Sequence, residues 1–219
     1  MPNQTRETGS MSKGVRARRK AERPGEILDA AFEEFVQKGY AATRLDDVAK
    51  RAGVTKGTIY VYFSNKEALF VSLVRELTQP IHAEVETFRI KSRESTSDFL
   101  RTYLRFLYSL VVDNPRSREV LRLLIAEASR FPELVDQHYQ ECMRPVIELV
   151  REGLHNGAER GQIRAAPAID QPEVLLGPAI SLSMWLLLFS NRKPIDMDRY
   201  FEAHIDLLLN GLLPRTATA

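Results

Sequence analysis

Cysteine is nearly absent from this chain: Cys142 stands alone among 219 residues. One thiol excludes an intrachain disulfide framework and any zinc site built on cysteine pairs, and it suits a reducing compartment. Histidine is scarce too, with four. His138 and Cys142 lie four apart, a spacing two metal ligands on one helix face would show, but no third ligand stands near them in sequence. No metal and no cofactor is expected. Glycine-rich phosphate loops, alternating strand patterns and nucleophile motifs are also missing, so the chain is not expected to be an enzyme. The Asp46-Asp47 pair falls on the first turn of a helix, where the helix dipole explains it better than catalysis. Long apolar runs are lacking as well. The longest, residues 174–189, falls short of the roughly 20 residues a membrane span needs and is interrupted by Gly177, Pro178, Ser181 and Ser183. The first 23 residues are polar and basic, without the apolar core of a secretory leader, so a cytoplasmic location is expected.

Charge is present but unevenly placed. The formal net charge is +2, yet residues 1–66 hold 13 Lys/Arg against 8 Asp/Glu, while residues 67–219 hold 18 against 21. A basic front on a mildly acidic remainder fits a nucleic-acid module joined to a part that does not touch nucleic acid. Residues 1–23 show no periodicity and are expected to be an unordered arm, with Met11 a second candidate start. Arg16, Arg18, Arg19, Lys20 and Arg23 make that arm basic, suited to phosphate or the minor groove.

The chemistry concentrates in residues 45–69, LDDVAKRAGVTKGTIYVYFSNKEAL. Leu45, Val48, Ala49 and Ala52 recur at helical spacing and predict a helix over 45–52. Thr43 with Asp46 has capping-box spacing. Gly53 is placed to end the helix in a left-handed turn. Thr55 can cap a second helix over 56–63, with Ile59 and Phe63 turned inward. The outer face then carries Lys56, Gly57, Tyr60 and Val61, with the Thr55 and Thr58 hydroxyls nearby. Glycine inside a helix costs about 1 kcal/mol against alanine, and a helix that lies close to another surface has a use for it. At about 12 Å the element matches the width of the DNA major groove. Ser64-Asn65-Lys66-Glu67 has capping-box spacing for a third helix, whose N-terminus with Lys66 would suit a phosphate. Residues 24–38 predict the supporting first helix, started by Pro24 and stopped by Gly39.

The order ILDAAFEEFVQKGY, Thr43, DVAKRAGVTKGTIYVYF and SNKEALF, residues 27 to about 69, resembles the TetR family of transcriptional regulators. The stretch RLLIAEASRFPEL is similar to the C-terminal domain of the AefR-like subgroup. The resemblance implies an all-α protein: a helix-turn-helix DNA-binding domain over residues 24–68, a ligand-binding and dimerisation helical bundle over 69–213, and a short tail over 214–219. It implies a repressor, with the homodimer on a palindromic operator released by a small apolar or amphipathic effector, on the bacterial nucleoid and away from membranes. By this resemblance Thr43, Tyr62 and Lys66 hold phosphates, Arg44 reaches a base or a phosphate, and Thr55, Lys56, Gly57, Thr58 and Tyr60 read or approach bases. The family often has histidine where Tyr62 stands.

Beyond residue 69 helical spacing persists. One connecting helix, kinked at Pro80, is expected to Phe88, then helices over 98–112, 117–130 and 131–160, the last kinked at Pro145. The final pair, 171–191 and 195–213, is too apolar for burial on one side only. Its Leu176, Ile180, Ser183, Met184, Leu187, Tyr200, His204, Leu207, Leu208 and Gly211 are the candidate dimer interface. Tyr103, Phe106, Tyr139, Met143, Trp185 and Phe189 fall at inward phases on different helices and are the candidate effector pocket, methionine suiting a loosely shaped apolar ligand. Two other readings stay open. One is a DNA-binding dimer without an effector, controlled by a partner protein or by Cys142 oxidation. The other is a helical enzyme or metal protein that only resembles a regulator.

Overall fold

The computed structural model describes residues 8–78, 84–86, 88 and 95–214, with side chains from residue 22 onward. The described residues are helical, with no strand among them. They fall into two compact units, Met1–Arg75 and Glu76–Ala219.

In the first unit α1 spans Thr8–Ala42, α2 Leu45–Arg51 and α3 Lys56–Tyr62; α4, Lys66–Thr78, begins there, and its last three residues belong to the second unit. The helix thus starts well before Pro24, and the basic stretch expected to be unordered is helical from Thr8. Its Ala, Arg, Lys and Met residues cost little in a helix, whereas Pro24 inside it costs a missing hydrogen bond and crowds the carbonyl four residues back. The arm's basic side chains before residue 22, and with them any grip on phosphate, lie outside the described residues. Gly39 breaks the helical path at φ +76°, as its place in the sequence suggested. The core is the inward stripe of α1 (Ile27, Ala31, Phe35) closed by Val48, Ile59, Leu69 and Phe70, all fully buried. Phe35, Tyr40 and Phe70 form an aromatic triad with ring centres 5.0–5.7 Å apart.

An ion network ties α1 to α2. The buried Glu34 carboxylate meets Lys38 Nζ and Arg51 Nε, both at 2.7 Å, and Lys38 also meets Asp47 at 2.9 Å. Hydrogen bonds from Lys38 and then Arg51 hold the Glu34 carboxyl below the ordinary carboxylate range.

In the second unit α5 spans Thr96–Val111, α6 Pro115–Glu127, α7 Pro132–His138, α8 Arg144–Glu159, α9 Gly177–Phe189 and α10 Met197–Leu212. Pro80 lies outside the described residues, so the kink expected there has no structural counterpart to report. Ser95 caps α5 by accepting from Asp98 N, and Asn114 caps α6, which begins at Pro115 rather than Ser117. The long helix expected over 131–160 is two helices joined by a π-helical turn, Tyr139–Met143. Proline's ring would strike the carbonyl four residues back in a regular helix, here that of Glu141, and the widened turn avoids it. Likewise the helix expected from Gln171 is a 3₁₀ turn, Pro172–Leu175, followed by α9. Tyr103, Leu104, Val150 and Leu154 are fully buried at the centre of this core, and the Tyr103 hydroxyl donates to Val146 O. Gly153 on α8 lies so close to Phe99 that an added Cβ would sit 2.0 Å from its Cε1.

Candidate nucleic-acid interface and internal cavity

Short-range chemistry fixes α2 and α3. Ala52 ends α2 and Gly53 follows at φ +64°. Gly53 N donates to Lys50 O and Val54 N to Ala49 O, the paired bonds of a Schellman cap. Thr55 accepts from Thr58 N, and the two threonine hydroxyls are 2.9 Å apart. Ile59 and Phe63 anchor the inner side of α3. Its outer side leaves Tyr60 50% and Val61 73% exposed. A Cβ on Gly57 would meet only Thr55 Oγ1, at 3.7 Å. Nothing within the fold therefore requires glycine there. Lys56 is exposed and pairs with Asp46 at 2.9 Å, an interaction that holds the ammonium above its ordinary range. Arg44 is exposed and Tyr62 half-buried.

Three expected residues take other roles. Thr43 does not cap α2, whose cap position is Arg44 with no side-chain bond. Thr43 is buried, and its hydroxyl donates backward to Gly39 O at 2.8 Å and Glu34 O at 3.1 Å. A hydroxyl spent on those carbonyls locks the α1–α2 turn and is not offered to a phosphate. The α4 cap is Asn65, accepting from Ala68 N at 2.7 Å, one residue later than the expected Ser64. Lys66 also turns inward. Its ammonium donates to the carbonyls of Tyr40, Thr43 and Ala41 at 2.8, 2.9 and 3.1 Å and sits 4.5 Å from the centre of the Tyr40 ring. It is a tie for the α1–α2 turn rather than a phosphate holder, and the tandem of Lys66 with Thr43 could not be seen from spacing because the partners are backbone carbonyls.

The second unit contains a cavity of about 110 Å³. Its wall takes Leu77 and Thr78 from α4, Leu107, Leu110 and Val111 from α5, Ser117, Val120 and Leu121 from α6, His138 from α7, and Cys142 and Met143 from the π-helical turn. Val146, Leu176 and Ile180 complete it. Of the residues proposed from sequence, only Met143 lines it. Tyr103 is buried elsewhere in the core and Phe106 is half-buried against that core. Tyr139, Trp185 and Phe189 are on the surface, the last two against each other at 4.8 Å, with Trp185 Nε1 donating to Lys193 O. Tyr139 opens the π-helical turn and is exposed there. Leu107, Leu110, Val120, Leu121 and Val146 read in sequence as ordinary core stripes, and nothing local marks them as cavity wall.

The cavity's polar groups are few. Cys142 Sγ donates to Thr78 O at 3.8 Å, and burial pushes the thiol's pKa up. His138 Nδ1 is buried without a hydrogen-bond partner among the described residues, and burial pushes the imidazole's pKa down. Among the described residues no group of three or more His, Cys, Asp or Glu could hold a metal ion.

The proposed interface residues divide. Leu176, Ser183 and His204 are buried inside the second unit itself. Ser183 donates to Val111 O and Ala179 O, and His204 Nδ1 lies 3.1 Å from the Tyr108 hydroxyl. Ile180, Leu187, Leu208 and Gly211 are half-buried, as is Tyr200, which donates to Pro178 O. Met184 and Leu207 are exposed, as are Val174, Trp185, Leu188 and Phe189. Ser183 faces inward on α9, which is apolar nearly all round and so gives no sequence signal for which side meets the core.

Comparison with known proteins agrees with this geometry. The family described as bacterial regulatory proteins, tetR family, matches residues 27–73, and the tetracyclin repressor-like C-terminal domain matches residues 93–208. The fatty acid metabolism regulator protein of Bacillus subtilis is 25% identical over 189 residues, covering 85% of this chain and 94% of that protein. A transcriptional regulator from Saccharomonospora viridis, solved in complex with choline, superposes with a TM-score of 0.73 at 16% identity, over 89% of this chain and 100% of that one. The regulator FadR from Bacillus subtilis, solved with stearoyl-CoA, gives 0.61 at 24% identity, over 85% and 97%. The AefR-like subgroup does not appear in the family match. No described helix is long and apolar enough to cross a membrane.

Proposed function

This chain belongs to the TetR family of bacterial regulatory proteins, a family of DNA-binding transcriptional regulators rather than enzymes, and from that premise we propose a ligand-responsive repressor. In this reading two copies associate through α9 and α10, whose exposed Met184, Leu188 and Leu207 favour burial against a partner. The two-fold pair presents two copies of α3 to an inverted-repeat operator. Thr55, Lys56, Gly57, Thr58 and Tyr60 approach the base edges, and Arg44 and Tyr62 contact bases or backbone beside them. An effector in the internal cavity releases the DNA by preferring one dimer shape over the other, since only differential affinity shifts such an equilibrium.

The observation that carries this reading is the outer face of α3. It is locked in place by Thr55 and Ile59, it offers a cation and a phenol, and its glycine has no packing role in the chain. The cavity favours an effector over control by a partner protein alone. Cys142, buried with a raised pKa, has the opposite character to an oxidation-sensing thiolate.

Footprinting on the DNA flanking the chain's own gene tests the reading, with two protected half-sites in inverted repeat as the expected result. Lys56→Ala should then relax preference at one position per half-site, by about 1–3 kcal/mol of discrimination. An unchanged operator profile for this variant would refute base reading by α3.

A further inference from the structure

The cavity itself narrows what it can hold. About 110 Å³ is of the order of the roughly 150 Å³ that accepts benzene in an engineered protein cavity, a shortfall that the flexible Met143 side chain on the wall makes up, and it is well under the roughly 300 Å³ at which ordinary ligand pockets begin. A long acyl chain is several times too large. Among the described residues no Lys, Arg, Asp or Glu lines the space, so an anion there would have no paired charge. Among the described residues no Phe, Tyr or Trp lines it either, which removes the cage that a quaternary ammonium needs. What remains is a small, uncharged and mostly apolar molecule.

His138 adds one polar requirement. Its imidazole forms part of the wall, and Nδ1 is buried with no partner among the described residues. An unmade bond of this kind leaves the group's lost hydration uncompensated. Burial holds the ring neutral near pH 7, so Nδ1 either donates or accepts according to tautomer, and a hydroxyl can answer both cases. The ring turns about an sp³–sp² bond, a broad and shallow torsion that lets Nδ1 meet a guest. Cys142 does not compete, because its thiol is engaged with Thr78 O. The wall at this point is the π-helical turn that begins just after His138 and carries Cys142 and Met143, a departure from regular helix often found at functional sites.

We propose that this cavity binds a single ring or short branched chain bearing one hydroxyl, with that hydroxyl set against His138. The proposal rests on the effector reading only for its consequence at DNA; the binding chemistry stands on the cavity.

Titration calorimetry on the purified full-length chain with phenol, benzene and palmitoyl-CoA is the test. Phenol should bind about five- to tenfold more tightly than benzene, and palmitoyl-CoA should not bind. In His138→Leu the phenol-to-benzene ratio should fall to about one, in His138→Gln part of it should return, and Leu121→Trp should exclude both rings. Equal affinities in the unaltered chain, a ratio that survives His138→Leu, no uptake of either ring at millimolar concentration, or uptake of palmitoyl-CoA alone would each overturn the proposal. Operator affinity is measured separately with phenol present. Hydroxyl-dependent binding that leaves operator affinity unchanged would support the ligand class while refuting the effector reading.

Discussion

The two units keep their chemistry in opposite places. The first carries it outward, on a seven-residue helix set by a threonine cap before it and by two core anchors beneath it. The second keeps it inward, in a cavity whose wall is gathered from helices between Leu77 and Ile180. An outward face needs only local signals, because what it contacts is outside the chain. An inward one depends on how distant helices meet, and the same Leu and Val residues serve core and cavity alike.

The contrast can be broken at several strengths. The largest effect is expected in the second unit. Gly153→Ala would drive a methyl group into the Phe99 ring and should cost about 3 kcal/mol, seen in denaturant unfolding. A cost below about 0.5 kcal/mol would show that α5 and α8 are loosely joined and the cavity less defined than described.

Next is Lys66→Ala in the first unit. Losing three carbonyl bonds and the Tyr40 contact should cost about 2 kcal/mol. The salt dependence of DNA binding by the folded variant should keep its slope. A stable variant whose slope falls by about one would return Lys66 to the phosphate backbone.

A smaller effect is expected from acid. Glu34 is held below its ordinary value near 4.5 by Lys38 and Arg51, and Asp47 below 3.8 by Lys38. A carboxylate whose folded pKa is depressed stabilises the fold fully above the unfolded value. That contribution fades as pH falls below about 4.5 and is gone once pH passes the lowered folded value. The first unit's melting temperature should therefore drop through this window, and Glu34→Gln should flatten the drop.

These cases also show what the sequence could carry. Gly53, Thr55 and Ile59 were legible because caps and turns act over three or four residues. The helix-turn-helix and the all-α class followed from them and from helical spacing. The inward roles of Thr43 and Lys66 were not legible, since each answers carbonyls rather than a side-chain motif. Trp185 and Phe189 were misplaced because α9 is apolar on every side, which leaves its orientation to packing alone. His138 and Cys142 stood out by their spacing, but the structure gives them a cavity wall and no third ligand among the described residues.

The most direct test of the account is the operator affinity of Gly57→Leu at fixed salt. Open space lies around Gly57, and leucine favours helix over glycine by about 0.5–1 kcal/mol, so the variant should fold at least as stably as the unaltered chain. Its operator affinity should nonetheless fall at least about tenfold, because a side chain there blocks close approach to the bases. A stable Gly57→Leu variant that binds its operator as tightly as before would contradict the claim that α3 is the reading surface.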